Sequence, residues 1–420
     1  MNKKLAAGIE WIFVLAILLF AYSLKFMTEK SIGFLIVLII SMLWAVVYRK
    51  NFGKTTLSIM RILIGALFIF SGTVKGIDPL GTQFRIEDYL YAYNLPALTA
   101  MALFLSIFLN LVEFITGIML IFNIKMKFTS ILTMLMMLFF TFTTLYDALY
   151  SPVPDCGCFG DFIKLSNWQT FYKNLVINAF VLVIFFRRKD FENKLSGGIQ
   201  YGIAGTFILL FTSFQVYSVR HLPVVDFRAW KIGARLLPEV MKPTKSYLTY
   251  QNKNTGETKE FLSPELPWQD TVFMTNWKWV KNRIEDPNIE FMKTFPMLDE
   301  GGQNMDREIV GNENYTFIIT CYNLKESDTA SFFKLSKLTD DLLKNGYQVV
   351  LATSAPLDEM KAFFERNKLT LPELYSSDDT SLKMAVRSNP GLIIVKKAIV
   401  IDHFHWRDFP TFEELKGKLK

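Results

Sequence analysis

The amino-acid sequence predicts a bundle of about seven transmembrane helices followed by an α/β soluble domain. Three observations carry that expectation. Up to about residue 220 the chain is a series of long apolar runs joined by short polar loops. Beyond that point it turns polar, with the alternation and turn residues of a soluble domain. From residue 314 onward β-rich and amphipathic segments alternate. The whole-chain averages fit this split: 51% of the 420 residues are hydrophobic and only 20% are charged, with a mean hydropathy of +0.25.

The apolar runs cover residues 9–24, 32–48, 57–74, 98–122, 128–149, 175–186 and 199–219. A helix needs about 20 apolar residues to cross the bilayer core; the sixth run is short and gains length if residues 172–174 extend it. The first run is not read as a signal peptide. Glu10 interrupts its start, no small-residue cleavage site follows, and a second apolar run comes at once. Basic residues set the orientation. Lys3 and Lys4, then Arg49, Lys50 and Lys54, then Lys125 and Lys127, then Arg187, Arg188 and Lys189 occupy alternate connections. Those connections belong in the cytoplasm, and seven spans leave the soluble half on the far side, periplasmic in a bacterial inner membrane. The net charge of +7 is accounted for by such loops, so no nucleic-acid partner is expected.

Two of the three cysteines stand one residue apart in Pro-Asp-Cys-Gly-Cys-Phe-Gly-Asp, residues 154–161. They fall in a far-side connection, in the same compartment as the soluble half. A disulfide across one residue closes a small, strained ring, which favours reduction, and Gly157 and Gly160 tolerate the distortion. Asp155 and Asp161 flank the pair and would raise rather than lower the thiol pKa values. Cys156 and Cys158 are thus a redox pair, a structural clip, or soft ligands for copper or zinc that Cys321 could complete. No predicted cytoplasmic loop holds a cysteine. Electrons leaving the pair would therefore need a quinone-like acceptor in the lipid or a soluble partner; no cofactor is otherwise indicated.

Polar residues at membrane depth are costly and face the bundle interior. Glu113 sits mid-run with Asn110 one turn before it, while Arg61 and Lys75 lie near opposite ends of the third run. They form either a proton or quinone site beside the cysteines or a buried lock on helix packing. Asp147 reads as a surface carboxylate near the cysteine turn, and Asn178 as a packing hydrogen bond. Gly65, Ser71 and Gly72 suit close helix approach.

The stretch from Arg-Ile-Leu-Ile-Gly at residue 61, through the Lys75-x-x-Asp78-Pro79 exit and Asn110-Leu-Val-Glu113, to the Cys-Gly-Cys turn resembles the DoxX and MauE-like family of four-helix membrane proteins. The resemblance covers roughly residues 57–186. It implies a redox or disulfide-maturation role toward periplasmic proteins. Domains are accordingly expected at 1–56 (two added helices), 57–187 (the four-helix core), 188–220 (a seventh helix), 221–310 (linker and hairpin) and 311–420.

In the soluble half, residues 221–236 read as an extended linker at the membrane surface. Residues 246–262 read as a hairpin around Asn-Thr-Gly, and 276–284 as an aromatic, basic segment that either lies on lipid headgroups or packs on its own domain. From residue 314 the order is β-α-β-α-β-β-α, with Cys321 ending the first strand and Pro390 just before the strand pair. This resembles a thioredoxin-like domain, in which that proline is cis beside the redox site. The Cys-x-x-Cys motif of that fold is degenerate: Cys321-Tyr-Asn-Leu324 puts leucine at the resolving position. Ser327 is the expected cap of the following helix, leaving Cys321 in a loop upstream. His403 and His405 alternate on a strand, as a solvated face rather than a metal site.

Two functions remain. One is a membrane thiol–disulfide oxidoreductase using Cys156, Cys158 and Cys321 on a periplasmic client. The other is a non-catalytic membrane-anchored assembly factor whose degenerate domain binds that client.

Overall fold

The structure, a computed structural model, describes residues 31–153, 156–193, 195–240, 242–288 and 292–419. The run at 9–24 and Asp155 lie outside these residues, so the expected first helix is not among them. Two compact units divide the chain, Met1–Arg228 and Ala229–Lys420.

The described residues of the first unit form helices joined by turns: α1 Ile32–Tyr48, α2 Lys54–Ile77, α3 Pro79–Ala92, α4 Ala102–Ile121, α5 Met126–Tyr150, α6 Asn167–Phe186 and α7 Gly197–Arg220. All but α3 are long and apolar enough to cross a membrane, α4 together with the 3-10 turn Pro96–Met101 before it. These six spans make the chain a multi-pass membrane protein. Side chains of α2 and α6 form the middle of the core, with Leu57, Met60 and Tyr172 fully buried.

Small residues bring α2 and α4 together. A Cβ on Gly72 would meet the Phe114 backbone nitrogen at 2.8 Å, and one on Gly117 would meet the Gly65 carbonyl at 2.6 Å. Neither site has room for a methyl group.

Two helix starts differ from expectation, each for a capping reason. The Asp78-Pro79 exit opens a helix rather than a loop: Asp78 Oδ1 accepts from the Gly81 amide at 2.9 Å, and Pro79 takes the first position. The span read from residue 175 begins at Asn167, because Ser166 and Gln169 form a capping box. That start places Lys173 and Asn174 inside α6.

The second unit contains two sheets. In the smaller, β1 Lys245–Asn252 pairs antiparallel with β2 Thr258–Leu262 and β3 Trp277–Glu285, in the order β2-β1-β3. A short helix, α8 Thr271–Asn276, leads into β3. Only Trp277 of β3 is buried, its ring stacked on Phe273 at 4.9 Å. The larger sheet comprises β4 Thr316–Cys321, β5 Gln348–Thr353, β6 Glu373–Ser376, β7 Gly391–Lys396 and β8 Ile399–His405, in the order β6-β5-β4-β7-β8. β4 is parallel to β5 and antiparallel to β7, with Ile318 opposite both Val350 and Ile393. Its six residues are all buried, as a central strand covered on both faces requires.

Helices α9 Asp306–Val310, α10 Thr329–Lys344, α11 Leu357–Arg366, α12 Asp379–Ala385 and α13 Phe412–Lys416 complete the unit. The order β5-β4-β7-β8, with its parallel and antiparallel pairs, is the thioredoxin core; β6 and α12 are additions between its two halves. The cap of α10 is Asp328, whose Oδ1 accepts from the Ser331 amide at 3.0 Å; Ser327 instead donates to the Leu324 carbonyl. The segment expected as a membrane-surface linker packs within this unit from residue 229 on. Trp230 is buried against Phe295 at 4.8 Å, and the amides of Gly233 and Leu236 donate to the carbonyls of Val400 and Ala398. Burial of one large ring and two edge hydrogen bonds outweighs an extended path in water.

Candidate redox site

The cysteine turn connects α5 to α6. Gly157 has φ +63° and Gly160 φ +51°, a left-handed region that costs glycine little. The Gly160 amide donates to the Gly157 carbonyl at 2.9 Å, and Ser71 Oγ of α2 donates to the Cys158 carbonyl at 2.8 Å. Phe159 is buried, its ring 5.8 Å from Phe70, and the Lys173 ammonium lies 4.7 Å above the Phe159 ring. Contacts from α2 and α6 thus hold the turn.

All three cysteines are free thiols, Cys156 and Cys158 half-buried and Cys321 buried. The pair is inequivalent. The Cys156 thiol donates toward the Cys158 sulfur, and with Lys173 and Lys75 nearby this lowers the Cys158 thiol to about 6. Cys156, holding the shared hydrogen beside a partial anion in a desolvated turn, is pushed well above the usual range. The flanking-aspartate argument missed the cations, which the fold brings from distant helices.

Behind the turn is a cavity of about 400 Å³, lined by Cys156 and Cys158 together with Lys75, Glu113, Tyr89 and Lys173 among others. Lys75 of α2 and Glu113 of α4 form a buried ion pair, with side chains 7% and 6% exposed. Asn110 Nδ2 donates to the Lys75 carbonyl at 3.2 Å, which ties the two helices at the same level. Asp147 is not a surface group: it is fully buried and accepts from the Tyr89 hydroxyl at 2.6 Å. Burial and that carboxylate push the Tyr89 hydroxyl up, so it remains a proton donor. Asn178 Nδ2 donates to Thr141 Oγ1 at 2.7 Å.

Arg61 is not part of this group. Fourteen residues before Lys75 on the same helix, it lies about 21 Å away along the axis. Its Nη1 donates to the Leu120 and Ile121 carbonyls, capping the C-terminus of α4. Sequence reasoning passed over Arg85, Tyr89 and Lys173. Their signals were the Asp78-Pro79 and Ser166-x-x-Gln169 helix starts, which place all three on helices entering the cavity.

In the second unit, Cys321 ends β4 with no exposed surface, and its burial pushes the thiol up to about 12. A thiol so held is neither ionised nor accessible, opposite to an exchanging cysteine. Leu324 packs against the sheet core. The Asn389–Pro390 bond is cis, and Asn389 Nδ2 donates to the Asn323 carbonyl at 2.6 Å, joining the proline loop to the segment after Cys321. Among the described residues no three His, Cys, Asp or Glu side chains group closely enough to hold a metal ion.

Residues 53–187 match the model of the family described as methylamine utilisation protein MauE; the earlier resemblance named DoxX beside it. No curated protein matches the chain. A solution structure described as a thioredoxin, from Neisseria meningitidis, aligns with 30% of this chain and 84% of its own, at 15% identity and a TM-score of 0.25; the assignment of the second unit rests on the strand order above. The membrane unit is therefore MauE-like over residues 53–187, the helices and turn that build the cysteine site.

Proposed function

We propose that the protein is a membrane thiol–disulfide exchange protein acting on a client outside the cytoplasm, with Cys156 and Cys158 as the exchanging sulfurs. The observation that carries this reading is the inequivalence of the pair: one thiol poised as thiolate, the other holding the proton, at the mouth of a cavity in the MauE-like domain. The Cys158 thiolate attacks a client disulfide, forming an S–S bond to one client sulfur and releasing the other as thiolate. Cys156 then gives up its proton and attacks Cys158. The ring closes and the second client sulfur leaves as thiol. The same steps in reverse oxidise a client dithiol at the expense of the Cys156–Cys158 disulfide.

Two spans, α6 and α7, lie between the cysteine turn and the second unit. That supports one compartment for both, whatever precedes residue 31, and the basic connections Arg49-Lys50, Lys125 to Lys127 and Arg187 to Lys189 support a cytoplasmic opposite side. In a bacterial inner membrane the shared compartment is the periplasm, where disulfides persist. The second unit serves as the client-binding module, a role its buried Cys321 favours over exchange of its own.

Either single serine variant, Cys156→Ser or Cys158→Ser, keeps one sulfur able to pair with a client but unable to close the ring. Mixed disulfides with client protein accumulate in both and vanish in the double variant. Their absence from both single variants, with client disulfides unchanged in the double, overturns the exchange reading and leaves a non-catalytic anchored assembly factor.

A further inference from the structure

We infer that the cavity behind the cysteine turn binds a lipid-soluble quinone that takes two electrons from Cys156 and Cys158. The inference rests on the exchange reading above and adds to it an acceptor and a direction. A sulfur pair that oxidises client after client must itself be reoxidised. Cys321 is buried and unsuited to pass electrons, and it is the only other cysteine in the chain. The acceptor must therefore come from outside the protein, through water or through lipid.

The cavity indicates lipid. Most of its wall is apolar side chain, and two of the lining residues, Phe139 and Tyr93, are 61% and 39% exposed on the outside of the helical unit. Phe139 stands at the middle of α5, a membrane-crossing helix. A side chain exposed at that depth faces acyl chains rather than water. The cavity volume, about 400 Å³, is in the range of about 300–1,000 Å³ typical of small-molecule sites, which suits one ring and the start of a prenyl tail.

The polar groups fit a quinone ring. Lys75 and Lys173 both line the cavity, and their ammonium groups keep N–H donors to spare, Lys75 beyond the one it gives Glu113; two ring carbonyls, and the negative charge that builds on them during reduction, need such donors. Among the described residues Lys173 makes no ion pair with a carboxylate, and its ammonium lies 4.7 Å from the Phe159 ring centroid. Leu105 and Leu109 of α4 and Ile86 of α3 supply flat apolar wall for the ring and tail.

The step balances. The Cys158 sulfur adds to a ring carbon, and Cys156 then attacks that sulfur. The Sγ–Sγ bond forms as the carbon–sulfur bond breaks, and its electron pair stays on the ring. Two carbonyls become two hydroxyls. One proton comes from the Cys156 thiol, and the other replaces the one Cys158 gave up to solvent on ionising. The disulfide so made returns to the client cycle.

The test uses the full chain in nanodiscs, reduced, freed of reductant and kept anaerobic. A short-chain ubiquinone is added, quinone absorbance is followed, and the thiols are counted by alkylation. In parallel the same protein is mixed with glutathione disulfide. The expected result is one quinone reduced per chain, with loss of the Cys156 and Cys158 thiols but not of Cys321. Leu109→Trp, which fills the cavity, is expected to slow quinone reduction at least tenfold and leave exchange with glutathione disulfide unchanged; Leu105→Trp is the second filling variant, for use if the first does not fold.

Wild-type protein that exchanges with glutathione disulfide but leaves the quinone oxidised overturns this inference and spares the exchange reading. Quinone reduction undiminished in a folded, filled variant, or persisting in Cys156→Ser/Cys158→Ser, overturns it as well. Failure of the wild type to exchange with either oxidant overturns the exchange reading and the quinone site with it.

Discussion

Lys75→Met tests the energetics at the centre of the membrane unit. The substitution keeps most of the side-chain volume and removes the ammonium, leaving Glu113 buried without its ion-pair partner. The pair's side chains are 7% and 6% exposed, so water cannot replace the lost contact. Other neighbours do little to replace it: the Phe140 ring, 5.7 Å from the lysine nitrogen, presents a negative face, and the Asn110 amide is engaged by the Lys75 backbone carbonyl. Breaking a buried pair on one side costs about 3–5 kcal/mol. Within a bundle the value falls at the lower end, because a membrane-inserted unfolded state also finds partners. Glu113→Leu, which strands the lysine, costs a similar amount. The double variant Lys75→Met/Glu113→Leu replaces the pair by apolar side chains of similar size, and it recovers most of the loss. With about 3 kcal/mol lost in each single variant and most of the sum recovered in the double, the three variants and the wild type form a cycle with a coupling of about 5 kcal/mol. Unfolding in mixed micelles, titrated with dodecyl sulfate and read by tryptophan fluorescence, gives the four stabilities. Single variants within about 1 kcal/mol of wild type, or a double variant as weak as the sum of both singles, refute the reasoning.

Other predictions concern the thiols and the helix contact. The rate of Cys158 alkylation by iodoacetamide is expected to rise with pH through a midpoint of about 6 and then level off, since the thiolate is the reacting form. Cys156→Ala, which removes the thiol hydrogen bond to Cys158, and Lys173→Gln, which removes a nearby cation, each move that rise toward higher pH; an unmoved profile contradicts this account of the lowering. Cys321 stays unlabelled in the folded protein at pH 8, because its thiol is covered and pushed up to about 12, and it labels at once on denaturation. Gly117→Ala forces a methyl group onto the Gly65 carbonyl and the Ile69 amide and is expected to destabilise the bundle by about 1–3 kcal/mol. Gly202→Ala, with nothing within 4 Å, serves as its neutral control in the same unfolding assay.

Much of this could be read from the residues in order, because hydrophobic length and period are local properties. The spans at 32–48, 57–74, 98–122, 128–149 and 199–219 needed only a count of apolar residues against bilayer thickness. The hairpin at Asn-Thr-Gly and the β-α alternation after residue 314 needed only period and turn chemistry. Capping was also local, and could have been used further. Asp78-Pro79 and Ser166-x-x-Gln169 announce the two helix starts that bring Tyr89 and Lys173 to the site.

The sequence alone established a polytopic membrane half, a Cys-Gly-Cys turn in one of its connections, and a soluble half lacking a second cysteine after Cys321. These follow from composition, spacing and period, which do not depend on what packs against what. Only the tertiary structure decided that Lys75 rather than Arg61 meets Glu113, that Asp147 is buried under Tyr89, and that Cys321 is shut inside its sheet. Partnership across helices depends on depth and on which faces meet, and a single linear pattern leaves several such pairings equally good. The same holds for the ionisation of Cys158. Its charge is set first by the hydrogen bond from Cys156, two residues away, and then by Lys173 and Lys75, which only folding brings within reach.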